Sequence, residues 1–302
     1  MDPWQKKRDR NGWAPSPLEW LEGNEGSYRA TAHISVVFSW HLDQAYQRAA
    51  WHKAAGHRVL AGGPAVILNP DYLADVAETP PPTPPLGIPP LTRFNPNATR
   101  TSLGCIRHCS FCAVPKLEGH LVELTDWEPK PVVCDNNILA VSRAHFDRVI
   151  DRLKGIKGVD FNQGLDIRLI KKHHAERLAE LNLVAARLAW DHSSLEPHFL
   201  RAWQLLRDAG FSKRRIRCYI LIGYKDTPQD ALHRLQTVLA LGSHPYAMRY
   251  QPLNSRRRNE YIAPRWTHRE LVRYCKYWNN LNHLGSIPFE EYQYPIQRKS
   301  PG

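Results

Sequence analysis

The sequence predicts an α/β chain built around an open, partial barrel, (β/α)6, of six parallel strands. Three observations carry this expectation. From residue 100 onward, apolar strand-like runs alternate with helical stretches, the pattern of parallel βαβ units. A shorter strand–helix–strand pattern occupies residues 33–68. Between the two lies a Pro-dense run, TPPPTPPLGIPP over residues 79–90, which is stiff and supports neither helix nor sheet ladder. The expected organisation is an irregular arm (1–30), a small Rossmann-like βαβ unit (31–78), a Pro-rich linker (79–98), a core barrel (99–255) and an aromatic, basic, helical C-terminal extension (256–302).

Each element has a local reason. Residues 1–30 are polar, rich in Trp and Gly, and without clear period. His33–Trp40 (HISVVFSW) is apolar and β-branched, hence a buried strand. Asp43–Ala55 has an apolar helical face in Ala45, Ala49, Ala50 and Trp51. Arg58–Leu68 reads as a second strand with a break at Gly62-Gly63-Pro64. Strands of the core are expected at 101–104, 131–134, 159–165, 185–191, 216–223 and 246–252. Helices are expected at 143–154, 172–181, 196–209 and 227–241, the third closed by Gly210. Thr267–Leu284 reads as a helix carrying Tyr274, Tyr277 and Trp278. In such folds, ligands bind at the carboxyl ends of the strands.

Composition narrows the function classes. With 302 residues the chain buries about three quarters of its unfolded surface and needs no disulfide staples. A 42% hydrophobic content with 10 Trp and 12 Tyr excludes disorder for most of it. No apolar run approaches the roughly 18 residues that span a bilayer. The N-terminal residues lack the apolar stretch of a secretory signal, so a cytoplasmic location with reduced thiols, and no membrane partner, is expected. Lys and Arg total 41 against 29 Asp and Glu, a net charge of +12 that favours acidic partners such as RNA, phosphates or anionic cofactors. Part of the excess sits in short runs, Lys6-Lys7-Arg8, Lys213-Arg214-Arg215 and Arg256-Arg257-Arg258, and such runs also serve as plain solvated faces.

The cysteines point to chemistry. Of six, three crowd into one loop: Cys105, Cys109 and Cys112, spaced C-x3-C-x2-C. In a reduced protein such a cluster is a metal site rather than a disulfide framework. Three thiolates on one tight loop suit three irons of a [4Fe–4S] cluster and leave the fourth iron for a small molecule. A structural zinc site would need a fourth protein ligand, for which His108, His120 and Cys134 are candidates. Cys134 and Cys218, near strand ends, and Cys275 read as small buried hydrophobes.

With Phe111 just before the last cysteine, the loop Cys105-Ile106-Arg107-His108-Cys109-Ser110-Phe111-Cys112 resembles the CxxxCxφC signature of the radical S-adenosylmethionine (radical SAM) superfamily. The resemblance covers roughly residues 99–255. It implies a [4Fe–4S] cluster whose open iron chelates the amino and carboxylate groups of S-adenosylmethionine. It also implies one-electron cleavage to methionine and a 5′-deoxyadenosyl radical that abstracts hydrogen from a substrate. The electron would come from a reductase such as flavodoxin or ferredoxin. This chemistry needs a potential at the low end of the roughly −700 to +450 mV range of such clusters.

Further positions follow from the resemblance. The superfamily's segment after the second strand binds the methionine amino group, often through Gly-Gly-Glu. Here Asp135-Asn136-Asn137 stands there, a departure that also suits a helix N-cap. The strand ending at Gly223 resembles the family's adenine-contacting strand, and an ordinary buried strand explains it as well. Asp166 and Arg168 either pair with each other or hold ribose and carboxylate groups. Read from the polar strand ends themselves, Asp191 is a further candidate and Arg249 suits a carboxylate clamp, with internal salt-bridge structure the equal alternative for each. The 33–68 unit resembles a remnant of the cobalamin-binding-type domain, without its Asp-x-His-x-x-Gly signature. The loop also resembles the methylthiotransferase branch, which carries three more cysteines upstream; none precedes Cys105 here. The substrate stays open between RNA or a nucleotide and a small metabolite or peptide. A non-catalytic metal-binding nucleic-acid module is the alternative of another class.

Overall fold

A computed structural model describes residues 8–23, 30–79 and 90–294. The Pro-dense run over 80–89, Lys6 and Lys7 of the first basic run, and the last eight residues lie outside the described residues. The chain is mixed α/β with parallel sheets, and it forms two compact units. One comprises residues 1–136 with 251–260, the other 137–250 with 261–302.

The first unit opens with strand β1 (Leu18–Glu22), paired antiparallel with β2 (Thr31–Ser35). The arm expected to be irregular therefore contains an edge strand. Its alternation is masked because Leu18, Trp20 and Glu19 are all only partly buried. Helix α1 (Leu42–Ala54) leads to β3 (Arg58–Gly62), parallel to β2. The second half of the expected 58–68 strand is instead a short helix, α2 (Pro64–Leu68): Pro64 stands at a helix start, where its missing N–H costs nothing. The core of this layer is Ala32, Ile34, Leu42, Ala45, Ala49, Val59, Ala61 and Leu73.

The same unit continues through α3 (Pro90–Phe94), β4 (Ala98–Thr99), β5 (Ser102–Leu103), α4 (Val114–Leu117), β6 (Val122–Glu123) and β7 (Val132–Val133). The strand expected at 101–104 is β5, and it pairs antiparallel with β6. β7 pairs parallel instead with β4, which starts four residues before β5. The expected first strand is thus displaced, because Thr101 and Ser102 turn inward to a buried carboxylate described below.

The second unit runs α5 (Arg143–Leu153), β8 (Lys157–Phe161), β9 (Leu165–Asp166), α6 (Lys172–Ala179), β10 (Asn182–Leu183), β11 (Ala186–Trp190), α7 (Glu196–Asp208), β12 (Ile216–Ile222), α8 (Pro228–Ala240), β13 (His244–Arg249), α9 (His268–Trp278) and α10 (Leu281–Leu284). The order β13-β12-β11-β9 is all parallel, and β10 pairs parallel with β8. The single strand expected over 159–165 is two strands, β8 and β9, and the expected 246–252 strand starts and ends earlier. Period-two burial is clear in β12, where Ile216, Cys218, Ile220 and Ile222 are fully buried and Arg217 is exposed. Helical period is clear in α5, which buries Phe146, Val149, Ile150 and Leu153. Trp190 stacks on Phe199 of α7, ring centroids 4.5 Å apart and 15° from parallel. Helix α8 begins with a capping box, Thr227 and Asp230 each satisfying the other's backbone N–H.

In the sequence, the aromatics interleaved with basic residues in the C-terminal segment suit stacking on single-stranded nucleic acid, and the structure differs from that expectation. Leu271, Tyr274, Tyr277 and Trp278 form one face of α9 and are buried, with Trp266 and Phe289 closing over them. These rings are core and are not offered to a nucleic acid. The spacing that looked like an aromatic display is the apolar stripe of an amphipathic helix.

Candidate functional site

The cysteine loop lies between β5 and α4. Gly104, just before it, has φ +69°, and a Cβ there would fall 2.0 Å from the His120 carbonyl oxygen. Only glycine fits that approach. The Cys105 N–H donates to the Gly119 carbonyl at 3.3 Å, and the Cys112 N–H to the Cys109 carbonyl at 2.9 Å. The Cys105 Sγ accepts the Arg107 N–H at 3.3 Å. Cys105 is buried, while Cys109, Phe111 and Cys112 are half-buried.

Glu118, at the end of α4, holds this loop from three sides. Its Oε2 accepts the Gly104 N–H at 2.8 Å and the Asn136 Nδ2 at 2.6 Å, and its Oε1 pairs with Arg100. Glu118 is not legible in the sequence, since no spacing marks a lone carboxylate whose partners lie 14 and 18 residues away.

Asp135 follows β7 and is buried. Its carboxylate accepts the Thr101 N–H at 2.6 Å, the Ser102 hydroxyl at 3.0 Å and the Thr101 hydroxyl. Burial pushes its pKa up, against the pull of those donors. The side chain thus bolts the end of β7 to the segment entering the cysteine loop. Asp135→Asn presents an NH2 group to donors and loses acceptors. It is expected to cost about 1–3 kcal/mol, read as a lower midpoint in chemical denaturation with unchanged m-value.

In the second unit, Asp166, Asp191, Gly223 and Arg249 all stand at the carboxyl edge of the β9-β11-β12-β13 sheet. Asp166 is chelated by Arg168, Oδ1 at 2.7 Å from Nε and Oδ2 at 2.9 Å from Nη2. Asn137 donates to the same carboxylate at 3.4 Å. Of the two roles open to Asp166 and Arg168, the mutual pair is formed. Burial pushes the Asp191 carboxyl up, while the charges of Arg168 and Arg234 pull it down. Gly223 has φ +70°, and a Cβ there would lie 2.6 Å from the Leu271 side chain. Its neighbour at that point is α9. The Arg249 guanidinium donates to the Tyr261 carbonyl at 2.7 Å, and burial lowers its pKa.

Two features of this edge escape the sequence. Arg234 of α8 is fully buried and donates to the Trp190 carbonyl at 3.0 Å, the Leu221 carbonyl at 2.9 Å and Asp226 Oδ2 at 2.6 Å. Asp226 Oδ1 in turn accepts the Gly223 N–H at 2.9 Å, the Tyr224 N–H at 3.2 Å and the Trp266 indole N–H at 3.1 Å. Burial raises Asp226 and lowers Arg234, each opposed by the other's charge. Tyr224, Tyr250 and Tyr261 also gather there, with centroids 4.6 Å and 5.3 Å apart along the series. Arg234 reads in sequence as one more surface arginine of a helix, and only the packing shows it is interior.

Three thiols within eight residues, one already taking a backbone N–H, are the donor chemistry of a thiolate-bound iron–sulfur cluster. Among the described residues, no three Cys, His, Asp or Glu side chains are gathered as a ready metal group. The fit therefore rests on the donor set and its anchored loop. His108 and His120, candidates for a zinc ligand, meet edge to face at 6.1 Å between ring centroids. Burial pushes the thiols of Cys218 and Cys275 up, which keeps them protonated and poor ligands. Cys275→Ala is accordingly expected to leave the iron content of the reconstituted protein unchanged by elemental analysis. No protein-family profile matches the chain, and no curated protein does either.

Proposed function

We propose that the chain is a radical SAM enzyme. The observation that supports this is the C-x3-C-x2-C loop with Phe111, entered through a glycine that no other residue can replace and followed by parallel strands with polar carboxyl ends. With it goes the proposal that the parallel strands form a partial (β/α)6 barrel. Cys105, Cys109 and Cys112 would hold a [4Fe–4S] cluster. The chemistry it supplies when bound and reduced is one-electron cleavage of the S-adenosylmethionine sulfonium bond, giving methionine and a 5′-deoxyadenosyl radical that takes hydrogen from a substrate.

The chain's own residues do the rest. Glu118 and Gly104 set the path of the cysteine loop, and Asp135 fixes the segment that enters it. Phe111, directly before the last cysteine of the loop, is a further proposed cofactor contact. Asn136, Asn137, Asp166, Arg168, Asp191, Gly223 and Arg249 are the proposed cofactor contacts. To take that role, Arg168 and Arg249 would exchange part of their present internal bonds for the cofactor's carboxylate, a trade that a guanidinium with five N–H donors permits.

The test is anaerobic reconstitution with iron and sulfide, then reduction with dithionite in the presence of S-adenosylmethionine. About four irons per chain, with 5′-deoxyadenosine by mass spectrometry, is the expected result. One zinc per chain and no 5′-deoxyadenosine would replace this function with that of a metal-binding module.

A further inference from the structure

The first unit carries a second candidate surface, remote in sequence from the cysteines. After β2 the chain runs Val36-Val37-Phe38-Ser39-Trp40-His41 along the carboxyl edge of the β2–β3 pair. Phe38 and Trp40 stack on each other, centroids 4.7 Å apart and 7° from parallel, and His41 stands edge-on to both. Phe38 is 44% exposed. Phe38 is thus left in water on a half-buried Trp40, a stacked pair at a strand end that offers an aromatic face to a ligand.

A basic loop is tied to this pair. Between the two aromatics, Ser39 is buried and its hydroxyl donates to the Ser255 carbonyl at 2.6 Å. The next residue, Arg256, lays its guanidinium 3.6 Å over the Tyr72 ring and pairs with Asp43, which also accepts the Tyr72 hydroxyl at 2.5 Å. Gln251 and Asn259 close the loop with two mutual hydrogen bonds of 3.0 Å. Arg256 is thus the anchor, and the loop presents Arg257 and Arg258 to solvent. The Arg257 side chain is 81% exposed and pairs loosely with Glu260 at 3.6 Å, and the Asp43 carboxylate also lies within its electrostatic reach. Both arginines remain able to engage phosphate.

We propose that this edge is a binding surface for single-stranded nucleic acid. A base stacks on Phe38 and Trp40, and neighbouring phosphates are held by Arg257 and Arg258. Stacking on an exposed ring needs an unpaired base, because duplex pairing hides base faces. The net charge of +12 supplies the long-range attraction. Nothing in the proposal depends on the cysteine loop, so it stands or falls apart from the enzyme assignment.

The experiment is fluorescence anisotropy on the full chain, with labelled oligonucleotides of about 12 nucleotides: oligo(U) RNA, the matching DNA and an RNA duplex, each across a salt series. Single strands are expected to bind more tightly than duplex; RNA and DNA arms tell which sugar is preferred, and binding of either supports the surface. Phe38→Leu, which keeps apolar bulk but removes the ring, is expected to weaken single-strand binding about 5- to 100-fold with little change in salt slope. Arg257→Ala with Arg258→Ala is expected to lower the salt slope by about 1.4. Lys172→Ala, an exposed cation on α6, is the charge control and is expected to lower that slope less than the arginine pair does. Duplex bound as tightly as single strand, or Phe38→Leu binding like the parent, would overturn the proposal.

Discussion

Cys109→Ala is expected to abolish iron binding and 5′-deoxyadenosine formation together, as are Cys105→Ala and Cys112→Ala. Each thiolate of a three-ligand loop carries one iron, so no remaining side chain compensates for its loss. Of the other three thiols, Cys218 is wholly buried and Cys275 lies in α9, and burial holds both protonated, while Cys134 is buried outside the loop, beyond its C-x3-C-x2-C spacing. Iron by elemental analysis and the charge-transfer absorbance of the reconstituted cluster read the first loss, and mass spectrometry the second. A Cys109→Ala protein with a full iron complement would remove the cluster from the loop. Gly104→Ala should mimic the cysteine variants without touching a ligand. Its methyl group collides with the His120 backbone, so the loop must move.

Arg234→Ala is the variant with the largest expected effect on stability, about 3–5 kcal/mol. It strands the buried Asp226 carboxylate and leaves the Trp190 and Leu221 carbonyls without their guanidinium donor. The loss should appear as a large fall in the denaturation midpoint. The double variant Arg234→Met with Asp226→Asn should recover part of it, because removing both charges removes the stranded one. If Arg234→Ala alone costs under about 1 kcal/mol, the usual worth of an exposed pair, the guanidinium is not interior.

The two variants separate what is legible in sequence from what is not. The cysteine loop is legible because ligand spacing is a local property. Three thiols within eight residues stay close whatever the rest of the chain does. The helices α5, α6, α7 and α8 are legible for the same reason, since a 3.6-residue apolar period is written along one segment. Their observed bounds lie within two residues of those expected. Short strands are less legible. β4, β6 and β10 have two residues each and no period to detect, and β1 runs from three half-buried residues to two exposed ones with no buried position to mark a face.

Residue type and spacing, by themselves, determined the α/β class, the alternation of the second half, the grouped thiols and the positive charge. Tertiary structure alone decided how the polar residues are spent. Asp135 goes to Thr101 and Ser102, Asp166 to Arg168, Arg234 to the strand-end carbonyls, and Glu118 to the cysteine loop. It also decided which aromatics face water, burying Tyr274, Tyr277 and Trp278 and leaving Phe38 out. The physical reason is the reach of each interaction. Backbone period and ligand spacing act over a few residues, whereas a buried charge takes whichever partner the packed chain brings within 3 Å or so.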